Sequence, residues 1–419
     1  MGLKTFNMLD KKLNLVTKQI NTNYEELFSE VITTIKLEGR YREFSDIARL
    51  SHKPQKAYDF KRNKEITLWC INDYLGMGIK HNVIEAAIKA TQEMGVGSGG
   101  TRNICGSHTK LKALECELAS LHNKDNALVF TSGYVSNEAT ITALVKIIPN
   151  CIIFSDSENH ASIIEGIKRS CAKKIVFKHH DLEDLEEKLK QVDINHPKLI
   201  IFESVYSMDG SISNIKALCD LADKYQAMTY VDEVHAVGLY GNTGGGISEV
   251  QNVQKRLTII EGTLAKGFGA MGGYITASKS LIDCIRSVSS GFIFTTSLSP
   301  AIAAAATESI RYLKTHNLER DKLFQNANKV KSLLKKNGIK FIDHGSHMIP
   351  IIIGDPILCK NISDNLLDKY NIFIQHINYP TVARGQERLR ITPTPGHTDA
   401  MIEELIFALT ETFKEYGIL

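Results

Sequence analysis

Residues 257–278 read LTIIEGTLAKGFGAMGGYITAS. The apolar run from Leu257 to Glu261 predicts a strand, and it delivers Lys266 into a loop of small residues: Gly262, Ala265, Gly267 and Gly269. A second strand-like run leaves through Gly272 and Gly273. Small neighbours let a backbone turn sharply and approach a bound group closely. No other charge lies between Glu261 and Lys279. A lysine desolvated in this way loses its proton more readily and can form an imine with an aldehyde. The competing reading is an ordinary surface lysine in a glycine turn.

Working outward, the strand YVDEVHAVG places Asp232 and His235 at the carboxyl end of a buried run, where open α/β sheets bind ligands. An aspartate there needs a partner to offset its desolvation, or else it caps the next turn. Beside an aldehyde-trapping lysine it suggests the carboxylate that keeps a pyridinium nitrogen protonated. Ser132 and Gly133 follow the strand ALVF (127–130) and open a helix, so their N–H groups suit a phosphate. Thr263 adds a hydroxyl on the lysine loop.

The alternation of elements fits this placement. The runs CIIF (151–154), KIVF (174–177), KLIIFE (198–203) and AMTYVD (227–232) are continuously apolar and lie between helical segments. Such runs are covered on both faces, as in a parallel sheet between helices. We expect an α/β fold: a three-layer, mainly parallel major domain over 65–304, opened by the strand ITLWC (66–70). A smaller α+β domain over 305–419 carries strands at MIPIII (348–353), IFIQHI (372–377) and LRIT (389–392). An N-terminal arm and helix occupy 1–64. Phe28, Val31, Ile32 and Ile35 predict an amphipathic helix over 23–37, after a polar, loosely docked stretch to residue 22.

Composition narrows the function classes. The 419 residues are 43% hydrophobic and 23% charged, with net charge +3, too little to argue for nucleic acid or an anionic membrane. Eight cysteines occur without a CxxC pair, which suggests reduced thiols and neither a disulfide framework nor a zinc site. No apolar run approaches the ~20 residues of a spanning helix, and acidic residues precede the first arginine, Arg40, unlike a transit peptide. We expect a cytoplasmic protein. Gly95 to Gly100 matches G-x-G-x-x-G, but a helix precedes it where a dinucleotide site needs a strand. The adjacent His179 and His180 are expected to point apart and be solvated.

Eight segments in order complete the reading: NDYLGMG (72–78), GSGGTRNICG (97–106), DSENHASIIEGI (156–167), FESVYSMDG (202–210), DEVHAVGLYG (232–241), GTLAKGFG (262–269), GFIFTTSL (291–298) and HINYPTVARGQERLRITPTP (376–395). Together they resemble the α-oxoamine synthases, fold-type-I pyridoxal 5'-phosphate enzymes. The similarity runs from about Glu38 to the C-terminus. It implies that glycine and succinyl-CoA are the substrates, as in the branch that opens tetrapyrrole (haem) synthesis. A sister enzyme using another acyl-CoA, or a non-catalytic binding protein on the same fold, is the alternative.

The resemblance also implies roles. Lys266 bonds the cofactor and moves protons, Asp232 pairs with the ring nitrogen, His160 stacks on the ring and His235 reaches its phenolic oxygen. Ser132, Gly133, Tyr134, Ser207 and Thr263 serve the cofactor. Thr295 and Thr296 reach the neighbouring subunit's phosphate in an obligate homodimer. Asn72 and Arg390 hold the glycine carboxylate. Arg42, Thr101 and Asn103 hold the succinyl end, and Ser155, Lys174 and Thr381 match further substrate contacts. Arg388 and Arg390 alternate with Leu389 and Ile391, so both leave one strand face. The pattern departs from the family at Ala265 and Gly267, usually glycine and alanine, and at Leu111, usually histidine, with His108 nearby.

Overall fold

The strand Lys198–Glu203 shows how the centre is built, since all its residues are buried. Successive side chains of a strand point to opposite faces. Leu199 and Ile201 join one apolar cluster with Ile153, Tyr230 and Ile259. Ile200 and Phe202 join another with Phe154, Val231 and Ile260 on the far side. A run apolar at every position therefore requires helices on both faces, and the computed structural model, which describes residues 23–419, has them. Helices Gly133–Ile147, Ala161–Ser170 and Lys279–Val288 cover one side. Helices Leu182–Lys190 and Ile215–Lys224 cover the other.

Seven strands form this sheet, in the order Asn126–Phe130, Gly273–Ala277, Ile259–Thr263, Met228–Asp232, Lys198–Glu203, Ile152–Asp156, Lys174–Phe177. Gly273–Ala277 runs antiparallel to both its neighbours, and the other pairings are parallel. The sheet is thus mainly parallel, as expected. Its register sets Glu203 opposite Asp232 and Asp232 opposite Glu261, so three carboxyls stand in one row at the carboxyl ends.

The strand read at ITLWC does not open this sheet. Lys64–Leu68 pairs with Lys56–Asp59 and, in parallel, with Ile372–Phe373, in a separate four-stranded sheet with Ile47–Arg49. Leu68 and Ile66 find their apolar partner in Leu367, far along the chain. Local patterning cannot reveal such a partner. The expected break at residue 305 falls inside helix Pro300–Thr315, whose Ala303, Ala306, Ile310 and Leu313 pack with helices His81–Met94 and Thr109–Leu121 of the larger body.

Beyond that helix, Ile349–Ile352, Arg388–Ile391 and His376–Ile377 make a three-stranded antiparallel sheet. Helices Leu318–Lys336, Pro356–Tyr370 and Asp399–Glu415 pack on it around Trp69, Ile351, Leu366, Leu389 and Leu405. The run IFIQHI is two short strands, Ile372–Phe373 and His376–Ile377. The Ser363 hydroxyl donates to the Ile374 carbonyl at 2.6 Å, occupying a group that a continuous strand would pair. Helix Tyr24–Leu37 matches its predicted span and buries no residue within the chain. The docking expected of residues 1–22 lies outside the described residues. No described helix is long and apolar enough to cross a membrane.

Phe202 is wholly buried at the centre of its cluster. Phe202→Ala is expected to lower stability by about 3–5 kcal/mol, measured by denaturant unfolding. A loss under about 1 kcal/mol would contradict its placement.

Candidate active site

The carboxyl ends of the central strands gather the site. Asp232 ends its strand at 4% exposure, and its carboxylate accepts from Asn137 Nδ2 at 2.8 Å and from the Val234 N–H at 2.9 Å. Asn137 is itself fixed, because its Oδ1 accepts from the Tyr230 hydroxyl at 2.9 Å. These donors offset the cost of burying a charge.

Lys266 follows the neighbouring strand Ile259–Thr263. Burial pushes its ammonium down to about 8, the pull of Asp232 opposing that shift and the Arg390 cation adding to it. Its loop is closed tightly: the Leu264 N–H and the Thr263 hydroxyl both donate to the Gly272 carbonyl at 2.9 Å. A Cβ on Gly267 would lie 2.2 Å from the Val237 carbonyl oxygen, so glycine follows the lysine for want of room. Ala265 is exposed, and the exchange of these two residues relative to the family is thereby seated in this chain's packing.

His235 is buried, with Nδ1 2.9 Å from the Tyr74 hydroxyl. Burial first, then Lys266 and Arg390, hold its imidazole well below the usual value, so it is neutral. His160 caps helix Ala161–Ser170, anchored through its backbone N–H to Glu203 Oε1 at 2.6 Å and through Nδ1 to the Ser162 hydroxyl at 2.8 Å. Desolvation lowers its imidazole value, with Asp232 opposing and Lys266 adding. Its side chain is exposed at the start of that helix.

An anion cradle adjoins this group. Ser132 caps the 15-residue helix that Gly133 begins, accepting from the Val135 N–H at 3.2 Å. Gly133 stands so close to Glu261 and Thr263 that a Cβ would meet Glu261 Oε1 at 3.4 Å. On the adjoining strand, a Cβ at Gly273 would strike the Gly133 nitrogen and the Ser132 carbonyl at 2.4 Å. The open helix N-terminus, the desolvated amine and the strand-end carboxylate fit the phosphate, aldehyde and ring nitrogen of pyridoxal phosphate.

On the C-terminal side, Arg390 reaches across to the hollow. Nη1 donates to the Ser207 carbonyl at 2.8 Å and Nη2 to Asn72 Oδ1 at 2.9 Å. Its Nε is a buried donor without a partner, and among the described residues it forms no ion pair. Arg388 leaves the same strand face and donates to the next carbonyl, that of Met208, at 3.1 Å. Arg42 is docked by a 3.1 Å bond to the His376 carbonyl and likewise has no ion-pair partner among the described residues. Thr381 lies in the exposed loop that bonds back to this segment, where Asn378 Nδ2 donates to the Gly39 carbonyl at 3.0 Å.

Thr295 donates to the Gly291 carbonyl at 2.6 Å, and Thr296 is exposed and bridges Thr101. Tyr134 and Asn103 are exposed. Ser155 is buried in its strand and bonded to Asn159 Nδ2 at 2.9 Å. Lys174 is exposed at the first residue of the edge strand, at the opposite end from Lys266. Leu111 is core, and His108 caps its helix, accepting from the Leu111 N–H.

His179 and His180 are not solvated apart. Their rings stack at 3.9 Å, because His180 adopts a left-handed φ of 57° that turns the chain back. His179 bonds Asp156 at 2.9 Å and Ser211 at 3.0 Å. Sequence reasoning missed Asn137, Tyr74 and Glu203, which hold Asp232, His235 and His160. Each is an ordinary polar residue whose partner is distant in sequence.

Comparison with known proteins adds to this geometry. A family model described as aminotransferase class I and II matches residues 64–409. A 5-aminolevulinate synthase of Rickettsia bellii (strain RML369-C) is 54% identical over 396 residues, 94% of this chain and 95% of that one. Another from Rhizobium meliloti (strain 1021) is 54% identical over 389 residues, 92% of this chain and 96% of its own. A lysine-to-alanine variant of a serine palmitoyltransferase from S. paucimobilis, solved with a bound PLP–myriocin aldimine, superposes with TM-score 0.87 at 27% identity, covering 96% of this chain and 100% of that one.

Two outcomes follow from the lysine loop. In cofactor-free protein, an amine-reactive label should modify Lys266 half-maximally near pH 8, the pH its burial sets; a midpoint near 10.5 would place it in solvent. Gly267→Ala should cost about 1–3 kcal/mol by overpacking, whereas Ala265→Gly costs less.

Proposed function

This chain belongs to the α-oxoamine synthases, within the aminotransferase class I and II family, and from that premise we propose that it condenses glycine with succinyl-CoA, releasing CoA and carbon dioxide and yielding 5-aminolevulinate. Its cofactor is pyridoxal 5'-phosphate. One observation carries the substrate reading: Arg390, beside Lys266 electrostatically, is a buried cation with no ion-pair partner among the described residues. A buried unpaired charge is costly, and a substrate carboxylate offsets that cost. Arg42, without an ion-pair partner among the described residues, supplies a second guanidinium for the acyl chain's free carboxylate.

The residues divide the work. Ser132 and Gly133 offer N–H and hydroxyl groups to the cofactor phosphate, Thr263 closes the lysine loop beside them through the Gly272 carbonyl, and Asp232 offers its carboxylate to the ring nitrogen. His160 covers the ring, and the neutral His235 hydrogen-bonds its phenolic oxygen. Bound there, pyridoxal phosphate supplies an electron sink for the substrate α-carbon. Lys266, with its value near neutrality, takes the glycine α-proton and returns a proton to the product. Arg390, with Asn72, holds the glycine carboxylate. Arg42, with Thr101 and Asn103, holds the succinyl end. Thr295 and Thr296 lie on an exposed segment beside Phe294, itself 81% exposed, which suits contribution to the site of a second copy in a homodimer.

A missing methylene discriminates only weakly, whereas an unpaired buried ion rejects the wrong ligand strongly. Assays of glycine with a panel of acyl-CoA thioesters should therefore show succinyl-CoA preferred over acetyl-CoA, with 5-aminolevulinate as product. Arg42→Leu should raise the KM for succinyl-CoA by about ten-fold or more and leave that for glycine nearly unchanged. Equal effects on both substrates would remove Arg42 from the acyl site.

A further inference from the structure

The row Glu203–Asp232–Glu261 crosses three adjacent strands in register. Glu261 is wholly buried. Its Oε1 lies 2.5 Å from the Ser136 hydroxyl, and its Oε2 has no donor among the described residues. The Asp232 carboxyl is within hydrogen-bonding reach of Glu261, so the orphaned oxygen is explained if one of the two carries a proton. Asp232 already holds two donors, Asn137 and the Val234 N–H. Donors favour the charged form, so the negative charge belongs on Asp232 and the proton on its neighbour.

We propose that Glu261 stays protonated at neutral pH and donates a hydrogen bond to Asp232, serving as a positioning residue that confines one negative charge to Asp232. Like charges at this spacing cannot both ionise cheaply, and a neutral carboxylic acid in an apolar site is a good donor. The groups facing Glu261 are Asp232 and Tyr230 from the adjacent parallel strand, Tyr274 from the antiparallel strand, Ser136 from the covering helix and Lys266 from the loop, with Glu203 one strand beyond Asp232. Lys266 is the cation among them and opposes the effect of burial and Asp232, which together raise the Glu261 carboxyl well above its usual range. By sharing its proton, Glu261 tempers the carboxylate that meets the cofactor ring nitrogen. That last link rests on the pyridoxal phosphate reading, whereas the protonation does not.

The test compares wild type with Glu261→Gln, an isostere that is neutral and keeps a donor, first without cofactor. Between the usual glutamate value of 4.5 and the raised value in the fold, the unfolded chain binds fewer protons than the folded one. Wild-type stability therefore falls with rising pH, by about tenfold per pH unit in the unfolding equilibrium relative to Glu261→Gln. Glu203 and Glu233 are present in both proteins and cancel. Infrared spectra of the wild type at pH 7 should show a carboxylic acid carbonyl band that Glu261→Gln removes. With pyridoxal phosphate bound, Glu261→Ala should raise the pH midpoint of cofactor absorbance while Glu261→Gln leaves it near wild type. Parallel pH–stability curves together with no lost band would show Glu261 ionised and overturn the proposal. Failure to bind pyridoxal phosphate would instead overturn the functional reading and leave the cofactor-free comparison standing.

Discussion

The central constraint is electrostatic: a half-buried lysine amine shares its hollow with a buried aspartate and a buried arginine. Burial pushes the Lys266 ammonium down, while Asp232 draws the proton back and Arg390 pushes it away. The balance leaves the amine near neutrality, where it can accept and release protons at comparable cost. Asp232 and Lys266 sit where a parallel strand or its following loop ends, so the register of the main sheet sets their spacing, and Arg390 joins them from the smaller antiparallel sheet. Moving one strand by a residue would turn its carboxyl to the opposite face and undo it.

The helices around the site serve the same constraint. Helix Gly133–Ile147 presents its N-terminus to the cradle and also supplies Asn137 to Asp232 and Ser136 to Glu261. One element thus attracts an anion at its end and manages two carboxyls one turn in. Likewise His160 gains its position from Glu203, whose oxygen takes the first free N–H of the neighbouring helix. The polar residues of the site act as mutual supports as much as direct participants.

The central strands were legible because complete burial leaves a continuous apolar run, and Lys266 was legible as a lone charge among glycines. The same logic failed for Lys64–Leu68, whose apolar residues meet Leu367 across the chain, a pairing no local pattern records. It failed for His179 and His180, since a left-handed residue overrides the alternation that separates neighbours. Lys174 shows a different limit. It carries a family position, but within one chain its strand start lies away from Lys266. Asn137 was hidden because its value lies in contact with Asp232, not in its surroundings in the sequence.

The antiparallel strand Gly273–Ala277 has a kinetic consequence. Parallel neighbours must wait for a crossover helix to bring them together, but Ile259–Thr263 and Gly273–Ala277 are joined by a short loop. Hairpins of this kind close in about 1–10 μs, well ahead of long-range pairing. The amine is thus mounted on a locally encoded unit, shaped before the walls that will desolvate it have assembled. Chemical readiness then arrives last in folding, when the distant strands lock in, and a half-folded chain carries the lysine with none of its reactivity.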